Sequence, residues 1–399
     1  MKTPIILLDR LGFDSSYYRT PTGESLFPED RFDVRLITSV KKLPLAVGNA
    51  LQSVVATPGS EIETLLEAGR YQSAFGGAKA ERVVALTERQ LLPAATLREA
   101  LDIPGDRPED IVIFRDKVPM KGFLRARGVR VPCFAPYSAG NARDLLQRFG
   151  TVVVKPRLDA GSKDVNIVCT VAALEQVEAR YRDRLADFEV EEFIDGRIYH
   201  IDSVVQSSRV LVASVGRSVF PTTSYQSGSH YWDIELAEGP LRNRLLAFNQ
   251  RVIECYPDFT GVMHHEAFVS DNEVVFCEIA ARWGGGGIRA GFRFRTGIDL
   301  IATMLNAQLG GPIPASAGWS DEITGFSFLY ISDRTLTRDV TLDEPWLVDL
   351  HLRVGRGDKL PPPRSLEQAA AVITVSGRDE AQVAERLAAA EAEITRCFG

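Results

Sequence analysis

Residues 261–289 read GVMHHEAFVSDNEVVFCEIAARWGGGGIR and contain the densest group of chemically informative side chains in the sequence. The pattern predicts two short strands joined by the polar turn 270–273. Each strand carries one carboxylate among apolar neighbours, Glu266 in the first and Glu278 in the second. Because a turn lies between them, an antiparallel hairpin would bring both carboxylates onto one face.

Two carboxylates held close together repel each other unless a proton or a cation lies between them. Mg²⁺ suits this arrangement, because it takes one or two protein carboxylates together with substrate phosphates. Arg282 follows Glu278 by four residues and can stabilise charge on a transferred phosphoryl group, while glycines 284–287 let backbone amides approach an anion. The alternative is a hairpin with two solvated glutamates and a surface arginine. The apolar neighbours of Glu278 favour a site, because a carboxylate in such surroundings needs a partner.

The composition describes an ordinary globular protein. The 399 residues are 45% hydrophobic and 25% charged, and the chain is long enough for two or three domains with substantial cores. The formal net charge of −7, without a basic stripe, argues against a nucleic-acid partner. A ligand made of a nucleotide and a metal ion is compatible with this charge, because a few local cations and glycines suffice to bind it.

The cysteines and the N-terminus bear on the compartment. Five widely spaced cysteines, without a C-x-x-C pair, predict reduced packing residues rather than disulfides or a metal site. The N-terminal apolar run is too short for a signal peptide and is interrupted by Asp9 and Arg10. No apolar segment reaches the length of a membrane span. We therefore expect a cytoplasmic protein without a membrane partner.

Short strands alternate with helical periods at both ends of the chain. Near the N-terminus we predict strands over 4–8, 32–37 and 51–56 and helices over 61–68 and 79–91. This alternation is typical of a parallel sheet. In the C-terminal part we predict strands over 325–331, 350–354 and 371–375 and a helix over 380–395.

A lysine ends an apolar strand in the middle of the chain. A predicted helix over 116–127 and a predicted strand over 151–155 precede the sequence PRLDAGSKD. Buried lysines are rare unless paired, so Lys155 at the strand end is expected to meet phosphate oxygens, with the amides at Gly161 and Ser162 covering them. The segment lacks the GxxxxGK[ST] pattern and is not a P-loop.

Two further segments complete the prediction around the site. Residues 188–205 predict strands, with the paired acids Glu191 and Glu192 on the first of them and a hairpin turn at 195–196. Residues 217–235 are polar and predict a long loop that could cover a site and that contains His230. Helices are predicted over 240–255 and 297–309.

These residues, in this order, resemble the ATP-grasp superfamily of carboxylate–amine ligases, with the likeness running over about 116–309. The resemblance implies an α/β (α+β) protein with the ATP-grasp fold. Its parts would be an N-terminal α/β domain with a parallel sheet (1–112), a small lid domain (113–187), a large domain with the metal and nucleotide site (188–312) and a C-terminal subdomain packed on it (313–399).

The resemblance also implies roles for individual residues. Glu266 and Glu278 look like the family's metal-ligand carboxylates and Arg282 like its catalytic arginine. The segment EVEEFIDG is similar to the strand that holds adenine and ribose. The implied nucleotide-binding residues are Lys117, Lys155, Gly161, Ser162, Glu191, Glu192, Phe193 and Ile194. His230, Arg289, Gly285 and Gly286 are further candidates for contact with the substrate.

One position departs from the family pattern. Many members have Asn two positions after the second carboxylate, whereas this chain has Ala280, so the number of metal ions is open. The form EIAAR followed by glycines is similar to the branch of L-amino-acid ligases, or dipeptide synthetases. The resemblance implies ATP and Mg²⁺ (or Mn²⁺) and a reaction through an acyl phosphate, with a small-molecule carboxylate and an amine as substrates.

Two alternatives keep the fold or the nucleotide site but change the function. One is carboxylation, or ligation of a non-amino-acid carboxylate in purine, cofactor or natural-product biosynthesis; no segment resembles a biotin carrier. The other is a nucleotide-binding scaffold without turnover, which would have no need of both carboxylates and the arginine. For the oligomeric state, base rates favour a homodimer.

Overall fold

A computed structural model gives the fold of this protein. It describes residues 2–399 except 14, 15, 21, 47, 48, 50, 160, 162, 221–229, 272, 316, 317, 364, 366 and 367. Its strands form three sheets of four, eight and four strands. Within the described ranges, every helix is too short or too polar to cross a membrane.

The N-terminal sheet is parallel, as predicted. Its strands are β1 (Thr3–Leu8), β2 (Phe32–Ser39), β3 (Ser53–Thr57) and β4 (Arg82–Ala85), in the order β3-β2-β1-β4. Helix α1 (Ile62–Ala74) connects β3 to β4, and helices α2 (Glu88–Leu101) and α3 (Pro108–Val112) follow β4. Because side chains alternate along a strand, Ile6 and Leu8 pack with the helix residues Leu65 and Leu97, while Ile5 joins the main core.

The predicted helix over 79–91 is wrong. The structure forms strand β4 there and starts helix α2 only at Glu88. The run RVVA is short and β-branched, so it completes the sheet beside β1, and Thr87 in extended conformation separates it from the helix. This shift places Glu88 at the first turn of a helix, at the carboxyl edge of the sheet.

The small sheet lies between residues 134 and 192. Its strands are β5 (Phe134–Pro136), β6 (Val152–Pro156), β7 (Asn166–Val168) and β8 (Phe188–Glu192), in the antiparallel order β5-β8-β6-β7. Helices α4 (Lys117–Arg125), α5 (Ala139–Phe149) and α6 (Val171–Arg180) precede or connect these strands. Strand β8 belongs to this sheet, although the predicted division assigned it to the large domain; the division itself stays a prediction.

The large sheet supplies the surface on which the hairpin lies. In chain order its strands are β9 (Arg197–Gln206), β10 (Arg209–Ser218), β11 (Tyr231–Glu235), β12 (Gly261–Ser270), β13 (Glu273–Ala280), β14 (Ile323–Leu329), β15 (Leu347–Leu352) and β16 (Ala371–Gly377). The sheet order is β13-β12-β9-β10-β11-β14-β16-β15, and its pairs are antiparallel.

Helices cover this sheet, and 3₁₀ turns connect other parts of the chain. The helices are α7 (Pro240–Ile253), α8 (Ile288–Thr296), α9 (Leu300–Leu309) and α10 (Glu380–Thr395), and the 3₁₀ turns are Ser16–Tyr18, Val40–Leu45, Phe75–Gly77 and Arg182–Asp187. The sequence analysis missed α8 and assigned the last two residues of β10 and the whole of β11 to a loop. Residues 221–229 of that predicted loop lie outside the described part of the chain.

One apolar core is shared by several parts of the molecule, whereas the small sheet has a separate core. One core is shared by the N-terminal sheet, helix α4, the large sheet and helices α7 and α9; Ile5, Leu124, Ile201 and Ile301 all belong to it. The small sheet has its own core, around residues such as Val154 and Phe188. The N-terminal sheet and the large sheet are therefore joined by continuous apolar packing.

Two side chains, Gln308 and Arg98, close the edge of strand β4. The amide of Gln308, on helix α9, accepts from Ala85 N at 2.9 Å and donates to Ala85 O at 2.9 Å. Arg98 donates to the same Gln308 oxygen at 3.1 Å and to Val83 O at 2.7 Å. Two side chains thus take the place of a neighbouring strand and satisfy backbone groups that an edge otherwise leaves unpaired.

We predict that Gln308→Ala lowers the free energy of unfolding by about 1–3 kcal/mol, because it leaves the buried N–H and C=O of Ala85 without their partner. Urea unfolding measures this change. Gln147→Ala, at an exposed position of helix α5, is the control and should change stability by less than about 0.5 kcal/mol. Equal effects of the two substitutions would contradict the assignment.

Candidate active site

The predicted hairpin forms, and its two carboxylates lie directly opposite each other. Strands β12 and β13 pair antiparallel, and Glu266 is the cross-strand partner of Glu278. At the turn, Ser270 pairs with Glu273, and Asp271 has the positive φ of 48° that a two-residue turn requires. The prediction that a hairpin brings both carboxylates onto one face is confirmed.

A β-bulge is the reason why they share a face. From the turn the register runs to Ala267 opposite Phe276, and it then shifts so that Glu266 lies opposite Glu278. With the turn's register continued, Glu278 would lie opposite His265. The extra residue, Cys277, therefore moves Glu278 to the other face of the strand.

The opposite face of the hairpin is core. His265 is fully buried, and its ring lies between the rings of Phe248 and Phe276, with centroid distances of 5.6 and 5.4 Å. Its Nδ1 lies 2.9 Å from Asn249 Oδ1. Burial lowers the pKa of His265 to about 3, so the ring is neutral and belongs to the packing. A carboxylate on this face would meet aromatic rings and no cation.

Lys117 is the nearest cation to the carboxylate pair. It begins helix α4, and its ammonium lies 3.1 Å from Glu278 Oε2 and donates to Asp159 O at 2.7 Å. Burial raises the pKa of Glu278, but Lys117, Lys155 and Arg282 together lower it to about 2. Glu278 is therefore ionised at neutral pH.

The side chains of Glu266 and Glu278 are 28% and 24% exposed, so solvent and ligands reach them. Directly opposed, partly exposed carboxylates are oxygen donors of the kind that Mg²⁺ takes, and the pair fits such a cation.

Arg282 lies between the hairpin and helix α2. Its Nη2 is 2.7 Å from Glu88 Oε2, and its Nη1 donates to Trp283 O at 2.6 Å. Arg115 pairs with the other oxygen of Glu88 and donates to Leu158 O at 2.9 Å. Burial raises the pKa of Glu88, but the two arginines outweigh it and lower the pKa below its usual range. The guanidinium of Arg282 is thus fixed at the edge of the site.

A second cluster of charged side chains lies between helix α4 and the small sheet. Lys155 is 2.6 Å from Glu191 Oε1, and Lys121 is 2.7 Å from Glu189 Oε2 and also pairs with Glu191. All four side chains are buried. Burial raises the pKa of Glu191, but the two lysines lower it to about 2. Two ammonium groups thus balance two carboxylates, which is the condition for burying such charges.

Three strands of the large sheet contribute histidines and acids next to Glu266. His200 lies 2.7 Å from Asp202 and 2.8 Å from Asp233 through its two ring nitrogens. His264 lies 3.0 Å from Asp202 and 3.3 Å from Glu266 in the same way. Burial lowers the pKa of His264, but Asp202 and Glu266 outweigh it and raise the pKa to about 9.

The structure brings together only some of the residues that were predicted to bind the nucleotide. Lys117 and Lys155 lie beside the carboxylates, and Gly161 has a φ of 70°. The carboxylate of Glu191 is occupied by two lysines, while Glu192 points to the other face and pairs with Arg130 at 3.1 Å. Phe193 and Ile194 follow strand β8 without regular secondary structure, and Ser162 lies outside the described residues. Nucleotide contact by these residues stays a prediction.

The candidates for substrate contact lie in two places. His230 pairs with Glu391 of helix α10 at 3.0 Å, and Arg289 pairs with Asp299, which caps helix α9, at 2.9 Å. Gly285 and Gly286 are both exposed, and Gly286 has a φ of 65° and lies so close to Phe326 that a Cβ would meet its ring at 2.4 Å. Gly286 therefore has a packing role as well.

Several residues of the site were missed by the sequence analysis. Glu88 was hidden inside the incorrectly predicted helix, although Thr-Glu before an apolar run signals a helix start. Lys121 lies four residues after Lys117 on one helix, a spacing that places both on one face and could have revealed it. His200, Asp202 and Asp233 were missed because, apart from the contact between His200 and Asp202 within β9, their partners lie on other strands.

Comparison with known proteins agrees with this geometry. Residues 114–286 match the family model described as ATP-grasp domain. The chain carries an ATP-grasp domain. The match includes the lysines, the carboxylate pair and Arg282, which all lie inside those bounds. The match therefore assigns an ATP-grasp domain to the central part of the chain.

The proteins similar to this chain include L-amino acid ligases and a carboxyaminoimidazole ribonucleotide synthase. The L-arginine-specific L-amino acid ligase of Bacillus subtilis is 23% identical over 242 residues, which are 57% of this chain and 58% of the relative. The match thus spans less than two thirds of that relative. The crystal structure of an L-amino acid ligase from Bacillus licheniformis superposes with a TM-score of 0.75 at 18% identity, over 98% of both chains. A carboxyaminoimidazole ribonucleotide synthase from Aspergillus clavatus reaches 0.71 at 13% identity, over 99% of both. The whole chain thus has the ATP-grasp fold.

We predict that Lys121→Met costs about 3–5 kcal/mol of folding free energy, because it leaves Glu189 and Glu191 buried without one of their two cations. Guanidinium unfolding measures the loss. The matched control, Lys163→Met, removes an exposed lysine 3.8 Å from Asp159 and should change stability by less than about 0.5 kcal/mol. A Lys121 variant as stable as this control would show that the four charges are not interdependent.

Proposed function

We propose that this protein is an ATP-dependent carboxylate–amine ligase that joins two small molecules, with amino acids as the substrate class, through an acyl phosphate. The observation that carries the proposal is the cross-strand pair of Glu266 and Glu278, with Lys117, Lys155 and Arg282 arranged around it. A scaffold that only bound nucleotide would have no use for a partly buried arginine fixed at the edge of this pair.

The proposed reaction has two steps. In the first, an oxygen of the substrate carboxylate bonds to the γ-phosphorus of ATP, and the bond from that phosphorus to the β,γ-bridging oxygen breaks, which releases ADP. In the second, the amine nitrogen bonds to the acyl carbon, the acyl–oxygen bond to phosphate breaks, and the nitrogen loses a proton. The products are an amide, ADP and phosphate.

Phosphoryl transfer depends mainly on positioning and on charge neutralisation. Glu266 and Glu278 would hold Mg²⁺, which neutralises phosphate oxygens when it is bound. Lys117 and Lys155 supply fixed positive charges on one side of the pair, and Arg282 supplies one on the other. Because ion pairs hold these groups before substrate binds, they lose little freedom in the reaction.

The amino-acid substrate class is supported by the relatives described as L-amino acid ligases. Arg289 is our candidate for a contact with the substrate's carboxylate, since it follows the glycine run and lies 6.0 Å from the ring of Tyr17. Its present partner is Asp299, so the substrate would have to compete with that pair. A homodimer stays a prediction.

Phosphate release from ATP and Mg²⁺, measured with amino acids singly and in pairs, tests the proposal. Release that requires a particular pair, with an amide of matching mass, would establish the ligase and name its substrates. Release with a carboxylate that is not an amino acid would favour the alternative ligase or carboxylase function. ADP binding with no release for any substrate pair would favour the scaffold.

We predict that Arg282→Ala lowers the turnover number by about 10²–10³-fold, because it removes a fixed cation from the site of the transferred phosphoryl group. Steady-state phosphate release measures the effect, and isothermal titration should show that ADP still binds. Arg143→Ala on helix α5, which removes an exposed arginine that pairs with Glu178, is the control and should leave turnover unchanged. Full activity of the Arg282 variant would overturn the assignment.

A further inference from the structure

Five side chains next to the carboxylate pair form a continuous chain in which acids and histidines alternate. The order is Asp233, His200, Asp202, His264 and Glu266, and successive members are linked by distances of 2.7–3.3 Å. The chain crosses the large sheet from β11 through β9 to β12, so it connects the candidate metal ligand Glu266 to the sheet's interior. The reaction proposed above uses only its last member.

The geometry links the members of this chain to one another. Each imidazole has a carboxyl oxygen within hydrogen-bond distance of both of its nitrogens. Two rings thus alternate with three acidic side chains. His264 lies within hydrogen-bond distance of Glu266, and it is itself held in place by Asp202.

Two glycines make room for the chain. A Cβ at Gly216 would lie 2.3 Å from His200 Nε2 and 2.6 Å from Asp233 Oδ1. A Cβ at Gly284 would lie 2.7 Å from His264 Nδ1 and 2.8 Å from Asp202 Oδ1. The space beside both histidines therefore depends on the missing side chains of two glycines.

The chain also reaches the glycine run. The backbone amide of Gly284, the first of the four glycines, donates to Asp202 Oδ1 at 3.0 Å. The same carboxylate oxygen lies 3.0 Å from His264 Nδ1. Asp202 thus holds both the histidine that contacts Glu266 and the backbone that follows Arg282 by two residues.

We propose that His200, Asp202 and His264 are positioning residues that fix the carboxylate of Glu266 for a divalent cation and tie it to the start of the glycine run. The inference rests on the proposed function, because it takes Glu266 as a cation ligand. It adds that the orientation of the Glu266 carboxylate is set by hydrogen-bonded histidines and acids on its own strand and on neighbouring strands.

The alternative is that His200, Asp202 and His264 themselves hold a metal ion, since one donor atom of each lies within 4.8 Å of the others. The hydrogen-bond geometry favours the positioning role. The Nδ1 atoms of both histidines already lie within hydrogen-bond distance of Asp202, and their Nε2 atoms lie against Asp233 and Glu266. The metal content of the purified protein separates the two.

Binding of Mn²⁺ in the presence of ADP, followed by electron paramagnetic resonance, tests the positioning role without turnover. We expect His264→Gln to weaken Mn²⁺ binding by about 10-fold or more, the scale seen when a partner of a metal ligand is removed. ADP binding without metal should stay unchanged. The matched control is His265→Gln, which alters the neighbouring buried histidine on the opposite face and should leave Mn²⁺ binding unchanged.

A second variant disturbs the chain without altering any of its members. Gly216→Ala places a methyl group against His200 Nε2, three links away from Glu266, and should also weaken Mn²⁺ binding while ADP alone binds normally. The inference would be overturned if the His264 and the Gly216 variants both bound Mn²⁺ normally and melted at the same temperature as the control. A stoichiometric transition metal in the purified protein, lost in His264→Gln, would overturn it as well.

Glu266→Gln separates this inference from the proposed function. If that substitution leaves Mn²⁺ binding unchanged, Glu266 is no ligand and the proposed metal site fails. If it weakens binding while His264→Gln and Gly216→Ala do not, the metal site stands and the positioning chain fails. Weakening by all three substitutions supports both.

Discussion

The repulsion between Glu266 and Glu278 is the constraint on which the rest of the site depends. The bulge at Cys277 places two ionised groups opposite each other on neighbouring strands, and such a pair is stable only among cations. The chain brings those cations from separate elements: Lys117 from helix α4, Lys155 from the small sheet and Arg282 from the segment after β13. The carboxylate pair therefore holds the parts of the molecule in one arrangement.

Each of these cations is itself held by a second acid. Glu88 of the N-terminal domain binds Arg282, and Glu191 of the small sheet binds Lys155. On the other side of the pair, His264 contacts Glu266 from within the large sheet. All three sheets thus take part in one charge network. A ligand that changes the charge at the carboxylate pair therefore changes the electrostatic energy of every member of this network.

Much of this could be predicted from the sequence, and the failures have physical reasons. The carboxylate hairpin, the parallel N-terminal sheet and helix α10 follow from local patterns that agree with their tertiary surroundings. Strand β4 was mistaken for helix because four residues give too little periodicity to separate the two. The bulge at Cys277 could not be predicted from the sequence, because the alternation of side chains along a strand does not show where an extra residue is inserted. The role of Glu191 depended on Lys121 and Lys155, which only the fold brings together.

The Gln308 contact has a consequence for synthesis. Ala85 and Gln308 are 223 residues apart, so the edge of strand β4 lacks its partner until most of the chain has been translated. At roughly 5–20 residues per second, this interval lasts on the order of 10–45 s. During it, the nascent N-terminal sheet presents a free edge to other nascent chains, and this is the period in which a chaperone would be most useful.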